Sequence, residues 1–341
     1  MLARITALIS MLFLVALLSA CGLGRSDSVT IYTSLDQPLS EPILRDFEGA
    51  TGIKVQPVYD VEAAKTTGLV SRLVAERSRP RSDVFWSSEI AQTILLKDQD
   101  ILAPYDAPSA SQIPARFKDP EHYWTGFAVR ARVILVNTAL VPVERHPRSI
   151  FDLLDPYWGE GEVAIANPLF GTTATHAAAL FAQLGPEKTQ DYFRALQQRK
   201  VRVVDGNSVV RDMVVRGEVK VGLTDTDDAH DAVAKGAAVK MLFPDQSSDG
   251  IGTLIIPNTV GLVRGAPNET AAKRLIDYLL SAEVEAKLAR SGSLQIPVRP
   301  GVSTPPEVPR IADLKGMTVQ GEAIARQMQA SSTWLKETFL R

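Results

Sequence analysis

Short apolar runs alternate with helical patterns along most of the chain, and this alternation limits the fold more than any other feature. Residues 29–32 read as a strand, followed by a polar loop over 33–37. Ile43, Leu44 and Phe47 then share one helical face, with Ser40 expected to cap that helix and Gly52 to stop it. A second strand is expected over 54–59, then a helix with Leu69, Leu73 and Val74 on one side, then a third strand over 83–86. Such alternation argues a mainly parallel sheet covered on both faces.

Residues 124–137 (WTGFAVRARVILVN) read as two strand-like stretches that cross over, and after them the pattern restarts. Strands are expected over 163–166, 201–204 and 221–223, separated by helices over 174–184, around 191–198, and from the Gly206-Asn207-Ser208 cap through Met213. An apolar run over 253–263, bent at Pro257-Asn258, reads as the return crossover. Helices over 268–280, 282–291 and 319–340 close the chain, with a Pro-rich linker over 297–309. The expected organisation is an N-terminal lobe of residues 28–125 plus 258–300 and a C-terminal lobe of residues 126–257. Residues 301–341 form a linker and a helix that packs on the lobes. Two lobes joined by two crossings describe a hinged binder that closes on a small ligand.

The N-terminus carries Arg4 and then a nearly continuous apolar run over 5–18, the length of a signal h-region and too short to span a bilayer as a helix. It ends in Leu18-Ser19-Ala20-Cys21-Gly22, which resembles a bacterial lipobox. Residues 1–20 are therefore expected to be removed as a signal peptide. Cys21 is expected to be lipidated at the head of a tether over 21–27, holding the chain on the periplasmic or cell-surface side of a bacterial membrane. Cys21 is the only cysteine, which excludes internal disulfides and a Cys-rich metal site. With 37 Lys+Arg against 39 Asp+Glu and no basic run, nucleic acid is not an expected partner. A monomer is the default expectation.

Enzyme signatures are missing. The sequence holds no G-x-S-x-G, G-x-G-x-x-G, P-loop or H-E-x-x-H motif. His122, His146, His176 and His230 lack metal-ligand spacing, and His176 among alanines reads as a packed residue. No catalytic residue and no cofactor are expected. Asp225, Asp227 and Asp228 form the most informative cluster. Three carboxylates within four residues repel one another, so something must compensate them. Asp225 or Asp227 can cap a helix start, or these carboxylates can face a cleft and hold an amine, hydroxyls or a metal. Hydroxyls gather where strands give way to helices, at Thr33-Ser34, Ser87-Ser88 and Thr172-Thr173, with Asn207-Ser208 in a similar place. Backbone N–H groups at such ends, together with hydroxyls, can bind an anion without Arg or Lys.

Several stretches are similar to the periplasmic ferric-ion-binding family, the family 1 extracellular solute-binding proteins of ABC importers. They are Ile31-Tyr32-Thr33-Ser34, Asp83-Val84-Phe85-Trp86-Ser87-Ser88-Glu89, Leu102-Ala103-Pro104-Tyr105 and Trp124-Thr125-Gly126-Phe127. Ile256-Pro257-Asn258-Thr259, Tyr278-Leu279-Leu280-Ser281 and Gln295-Ile296-Pro297 extend the resemblance over nearly the whole mature chain. It implies an α/β fold of the type II periplasmic-binding class, with a mainly parallel sheet flanked by helices in each lobe, two hinge crossovers, and an ABC permease as partner. The family's ferric binders place adjacent tyrosines where this chain carries Asp227-Asp228, and its first-loop His is replaced by Asp36. The family's Glu after the third strand falls near Ser88, with Glu89 one position on.

The expected function is capture of a small anionic solute of the organic phosphate or phosphonate type. Thr33, Ser34, Ser88, Thr172 and Thr173 would hold its anionic part and Asp36, Asp227 and Asp228 its hydroxyl or amino part, with Ser87, Glu89, Asn207, Ser208 and Asp225 as further ligand-binding residues. The alternative is ferric iron as cargo, held by Asp36, Glu89, Asp227 and Asp228 in place of tyrosines. An exported phosphate-ester hydrolase ranks last, for want of a nucleophile and base.

Overall fold

The computed structural model describes residues 28–60 and 67–340. The signal segment, Cys21 and the tether lie outside the described residues. Among the described residues, no helix is long and apolar enough to cross a membrane.

The first sheet is built from β1 (Ser28–Thr33), β2 (Lys54–Tyr59) and β3 (Val84–Ser87), with β1 parallel to both neighbours. Helices α1 (Gln37–Thr51), α2 (Thr67–Ala75) and α3 (Ala91–Asp98) follow the three strands in turn. The short β4 is Leu102–Ala103. Helix α1 begins earlier than the Ser40 cap predicts. Asp36 holds the N-cap position, Pro38 occupies the first turn, where its missing N–H costs nothing, and the Ser40 hydroxyl donates to the Leu35 and Asp36 carbonyls.

Residues 124–137 do not split in two. Thr125–Asn137 is one strand, β5, buried throughout. Its first part pairs antiparallel with β10 (Ile255–Val263) as far as Ala131, and from Arg132 onward it pairs with β8 (Val221–Asp225). The strand thus passes from one sheet to the other without leaving the ladder. Beside β8 lie β6 (Val163–Ala166) and β7 (Arg202–Val204), both parallel, while β9 (Val239–Leu242) pairs with the end of β5. The whole order is β2-β1-β3-β10-β5-β8-β6-β7. Each lobe has its parallel strands, and the two crossing strands are the antiparallel exception.

The expected bend at Pro257-Asn258 is a register shift in β10 at that step. Opposite it, Ala128 takes a left-handed φ of 41° and Asn258 Nδ2 donates to the Ala128 carbonyl. Glu285, fully buried, accepts the Ala128 and Val298 N–H groups and pairs with Arg299. A crossing strand broken at this point is a natural place for rotation between lobes.

The second lobe adds α4 (Gly171–Leu184), α5 (Pro186–Gln198), α6 (Asn207–Val215) and α7 (Thr226–Ala234). Then α8 (Glu269–Leu279) and α9 (Ala282–Arg290) pack back on the first lobe. The final helix, α10 (Gly321–Trp334), lies against both α4 and α3. Its Ile324 and Met328 complete an apolar cluster with Ala91 of α3 and Ala174, Ala178 and Ala179 of α4. Small side chains on α3 and α4 leave room for α10, which covers the seam.

Candidate functional site

The C-terminal ends of β6, β7 and β8 turn directly into α4, α6 and α7, or reach them through a short loop, so three helix starts meet at one place. This is where open α/β sheets bind ligands. A cavity of about 120 Å³ opens there, walled by Asn167, Phe170, Gly171, Thr172, Thr173, Asp205, Gly206, Asn207, Ser208, Asp225, Asp227 and Asp228 from the second lobe. The first lobe contributes Asp36 and Ser88, and β5 contributes Arg130. No side chain caps α4, α6 or α7, so their first-turn N–H groups are left for other acceptors. Gly171 takes a left-handed φ of 53° at the start of α4, a turn that glycine makes without strain.

The compensation that the acidic cluster requires comes from two arginines that sequence reading passed over. Arg130 Nη1 lies 2.6 Å from Asp227 Oδ2, and its Nη2 donates to the Ser88 carbonyl at 2.9 Å. Arg132 Nη1 lies 2.7 Å from Asp225 Oδ1 and 2.9 Å from Asn207 Oδ1. The knot tightens through Thr172, whose hydroxyl donates to Asp225 Oδ2 at 2.6 Å, and through Asn207 Nδ2, 3.0 Å from Thr172 Oγ1. One guanidinium on β5 therefore joins the starts of α4, α6 and α7. Asp228 faces Arg211 at 3.5 Å.

Burial opposes the charge of Asp225, but Arg132 and Arg130 outweigh it and hold its carboxyl below the usual range. Burial likewise works against Arg130, and Asp227, Asp225 and Asp36 more than restore its positive charge. His176, packed behind the knot, is pushed down to about 3 by burial and by Arg132, so it stays neutral. That is the packed histidine the sequence suggests.

Of the sequence-predicted residues, Asp36, Ser88, Thr172, Thr173, Asn207, Ser208, Asp225, Asp227 and Asp228 line the cavity. Four do not. Thr33 Oγ1 accepts the Leu35 N–H, and Ser87 Oγ accepts the Glu89 N–H, so both close local turns. Ser34 stands behind Ser88, with its hydroxyl 2.8 Å from the Ser88 nitrogen. Glu89 is buried with both oxygens engaged, accepting from the Ala91 and Gln92 N–H groups and from the Thr175 hydroxyl at 2.9 Å. It therefore serves the start of α3 and the seam with α4, and is not placed as a solute or iron ligand. Asp225 occupies the N-cap position of α7, but its side chain turns to the arginine instead of capping. Arg130 also stands in the cavity wall, so the N–H groups and hydroxyls there are joined by a guanidinium.

Glu89 carries a pH consequence. Burial raises its pKa above the ordinary 4.5, partly offset by its N–H and hydroxyl donors and by Arg130. The folded state then holds its proton more tightly than the unfolded chain. Its contribution to stability is complete below about pH 4.5 and is lost as pH rises through the folded-state value. Glu89→Gln is expected to flatten this part of the stability–pH curve. Urea midpoints of both proteins between about pH 4 and 7 test this, and equal slopes would clear Glu89 of the effect.

A family model of bacterial extracellular solute-binding proteins matches residues 83–327. The chain belongs to that family. It is an extracellular solute-binding protein, a binder and not an enzyme. Iron uptake protein A1 of Synechocystis sp. is 26% identical over 343 residues, covering 94% of this chain and 92% of its own. Iron-bound HitA from Pseudomonas aeruginosa superposes with a TM-score of 0.81 at 20% identity, covering 90% of this chain and 98% of its own. AfuA from Actinobacillus pleuropneumoniae, with exogenous fructose-6-phosphate bound, has the same TM-score of 0.81 at 24% identity, covering 93% and 100%. The family model describes extracellular proteins, and a relative from Serratia marcescens, 24% identical over 296 residues, is an Fe(3+)-binding periplasmic protein. Equal likeness to an iron-bound and a sugar-phosphate-bound protein leaves the cargo to be argued from the cavity itself.

Proposed function

We propose that this protein, anchored through a lipidated Cys21, captures a small solute with a phosphate or phosphonate at one end and hydroxyls or an amine at the other. The observation that carries the reading is the pair of uncapped starts of α4 and α6, which bring Thr172, Thr173, Asn207 and Ser208 to the wall of one cavity. Their backbone N–H groups suit a compact multivalent anion, and Arg130 adds a fixed positive charge. The carboxylates of Asp36, Asp227 and Asp228 on the same cavity suit hydroxyl or ammonium donors. The exogenous fructose-6-phosphate bound to AfuA has this two-ended chemistry.

A second reading, ferric iron as cargo, is favoured by the Asp225, Asp227 and Asp228 oxygens, which lie within 4.8 Å of one another. Against it, Asp225 and Asp227 already pair with Arg132 and Arg130, and no tyrosine lines the cavity among the described residues. Elemental analysis of protein purified gently from the periplasm separates the two. Phosphorus near one per chain without iron is the expected result. Iron near one per chain with little phosphorus would establish the ferric reading instead.

A further inference from the structure

Arg130 stands where β5 changes partners, two residues before the strand leaves β10 for β8. From there its guanidinium reaches both lobes, binding the Ser88 carbonyl of the β3–α3 turn and the Asp227 carboxylate in the first turn of α7. The residue is 3% exposed, and its Nε finds no partner among the described residues. We infer that Arg130 is a positioning residue that sets how far the two lobes close over the cavity.

The geometry gives the reason. Rotation about the crossing strands carries Ser88 and Asp227 apart, and one planar guanidinium cannot follow both. On the first-lobe side Arg130 is held by the neutral Ser88 carbonyl and the weaker field of Asp36, on the second-lobe side by Asp227 at 2.6 Å and Asp225 at 3.9 Å. The first-lobe contacts therefore part first and Arg130 stays with the second lobe. Closure restores the carbonyl bond. A second polar contact, Thr175 to Glu89, crosses the same seam but lies outside the cavity wall. Arg130 therefore joins the solute chamber to the degree of closure, which the Thr175 contact does not.

Lysine at this position keeps a charge for Asp227 but offers a compact ammonium in place of a two-sided fork. Small-angle scattering of the full chain with no added solute is expected to show Arg130→Lys more open than the wild type. The difference should be on the order of 1 Å in a radius of gyration of ~20 Å. The thermal midpoint should be nearly unchanged. Asp227→Asn, which keeps an acceptor oxygen, is expected to open the lobes less but in the same direction, and it serves if the lysine variant does not fold. Wild-type scattering in the folded variants would overturn the inference, as would a lowered midpoint with unchanged scattering, which marks a purely structural residue. Adding inorganic phosphate is a separate arm that tests the proposed cargo. Its failure to compact the wild type counts against that reading and leaves the comparison without solute intact.

Discussion

Replacing Arg132 by methionine is expected to remove about 3–5 kcal/mol of folding stability, the cost of leaving a buried carboxylate without its cation. Arg132 is fully buried and Asp225 is 2% exposed, so water cannot take over the lost role. The substitution also strips a donor from Asn207 and Thr172, loosening the starts of three helices together. Asp225→Asn in the same chain removes the stranded charge and is expected to recover most of the loss, because Thr172 and Asn207 can still hydrogen-bond an amide. Urea unfolding of the two single variants and the double variant measures this coupling directly. A loss below about 1 kcal/mol in Arg132→Met would show that the knot does not hold the second lobe. The pH arm has a definite sign. Asp225 has a depressed folded-state pKa, so its contribution is present above the ordinary carboxylate range and is lost as pH falls through the folded value.

The same knot shows what the sequence could and could not convey. Strand–helix alternation and the restart after residue 137 depend on local apolar patterning, and they gave the order of elements and the crossing strands. The bend at Pro257-Asn258 was legible because proline interrupts a ladder. Candidate loops were legible because strand ends in α/β sheets are where ligands sit, and nine of the thirteen proposed ligand residues line the cavity. The misses share one cause. Thr33, Ser34, Ser87 and Glu89 have the same local chemistry as their cavity-lining neighbours, and only the direction of each side chain separates them. Arg130 and Arg132 were missed because they sit in a run of apolar residues that read as a crossover and nothing more. A signal was available. Two arginines spaced i, i+2 share one face of a strand, and a strand otherwise so apolar is buried, so both had to find carboxylates. The nearby excess of aspartates at 225, 227 and 228 was the obvious complement.

Ser208→Asp separates the two cargo readings with one substitution, because it changes anion affinity far more than stability. Ser208 lies in the first turn of α6 and on the cavity wall. A carboxylate there meets the positive end of the helix, worth about 0.3–1 kcal/mol. Repulsion from Asp225 and Asp227 is limited by their pairing with Arg132 and Arg130, so folding stability should change by less than about 1 kcal/mol. The same carboxylate competes for the N–H groups proposed to bind the anionic end of the solute and repels it. Affinity for a sugar phosphate such as fructose 6-phosphate should fall about 100-fold or more, on the order of 3 kcal/mol, as measured by calorimetry. A ferric ion responds in the other sense. An added hard oxygen ligand beside Asp225, Asp227 and Asp228 should hold or strengthen iron binding. Loss of phosphate-ester affinity with a stable fold therefore supports the anion reading. Retained affinity would move the anion away from the start of α6. Iron bound more tightly by the variant than by the wild type would decide for the metal, since the added negative charge favours a cation whether it coordinates it or attracts it through space.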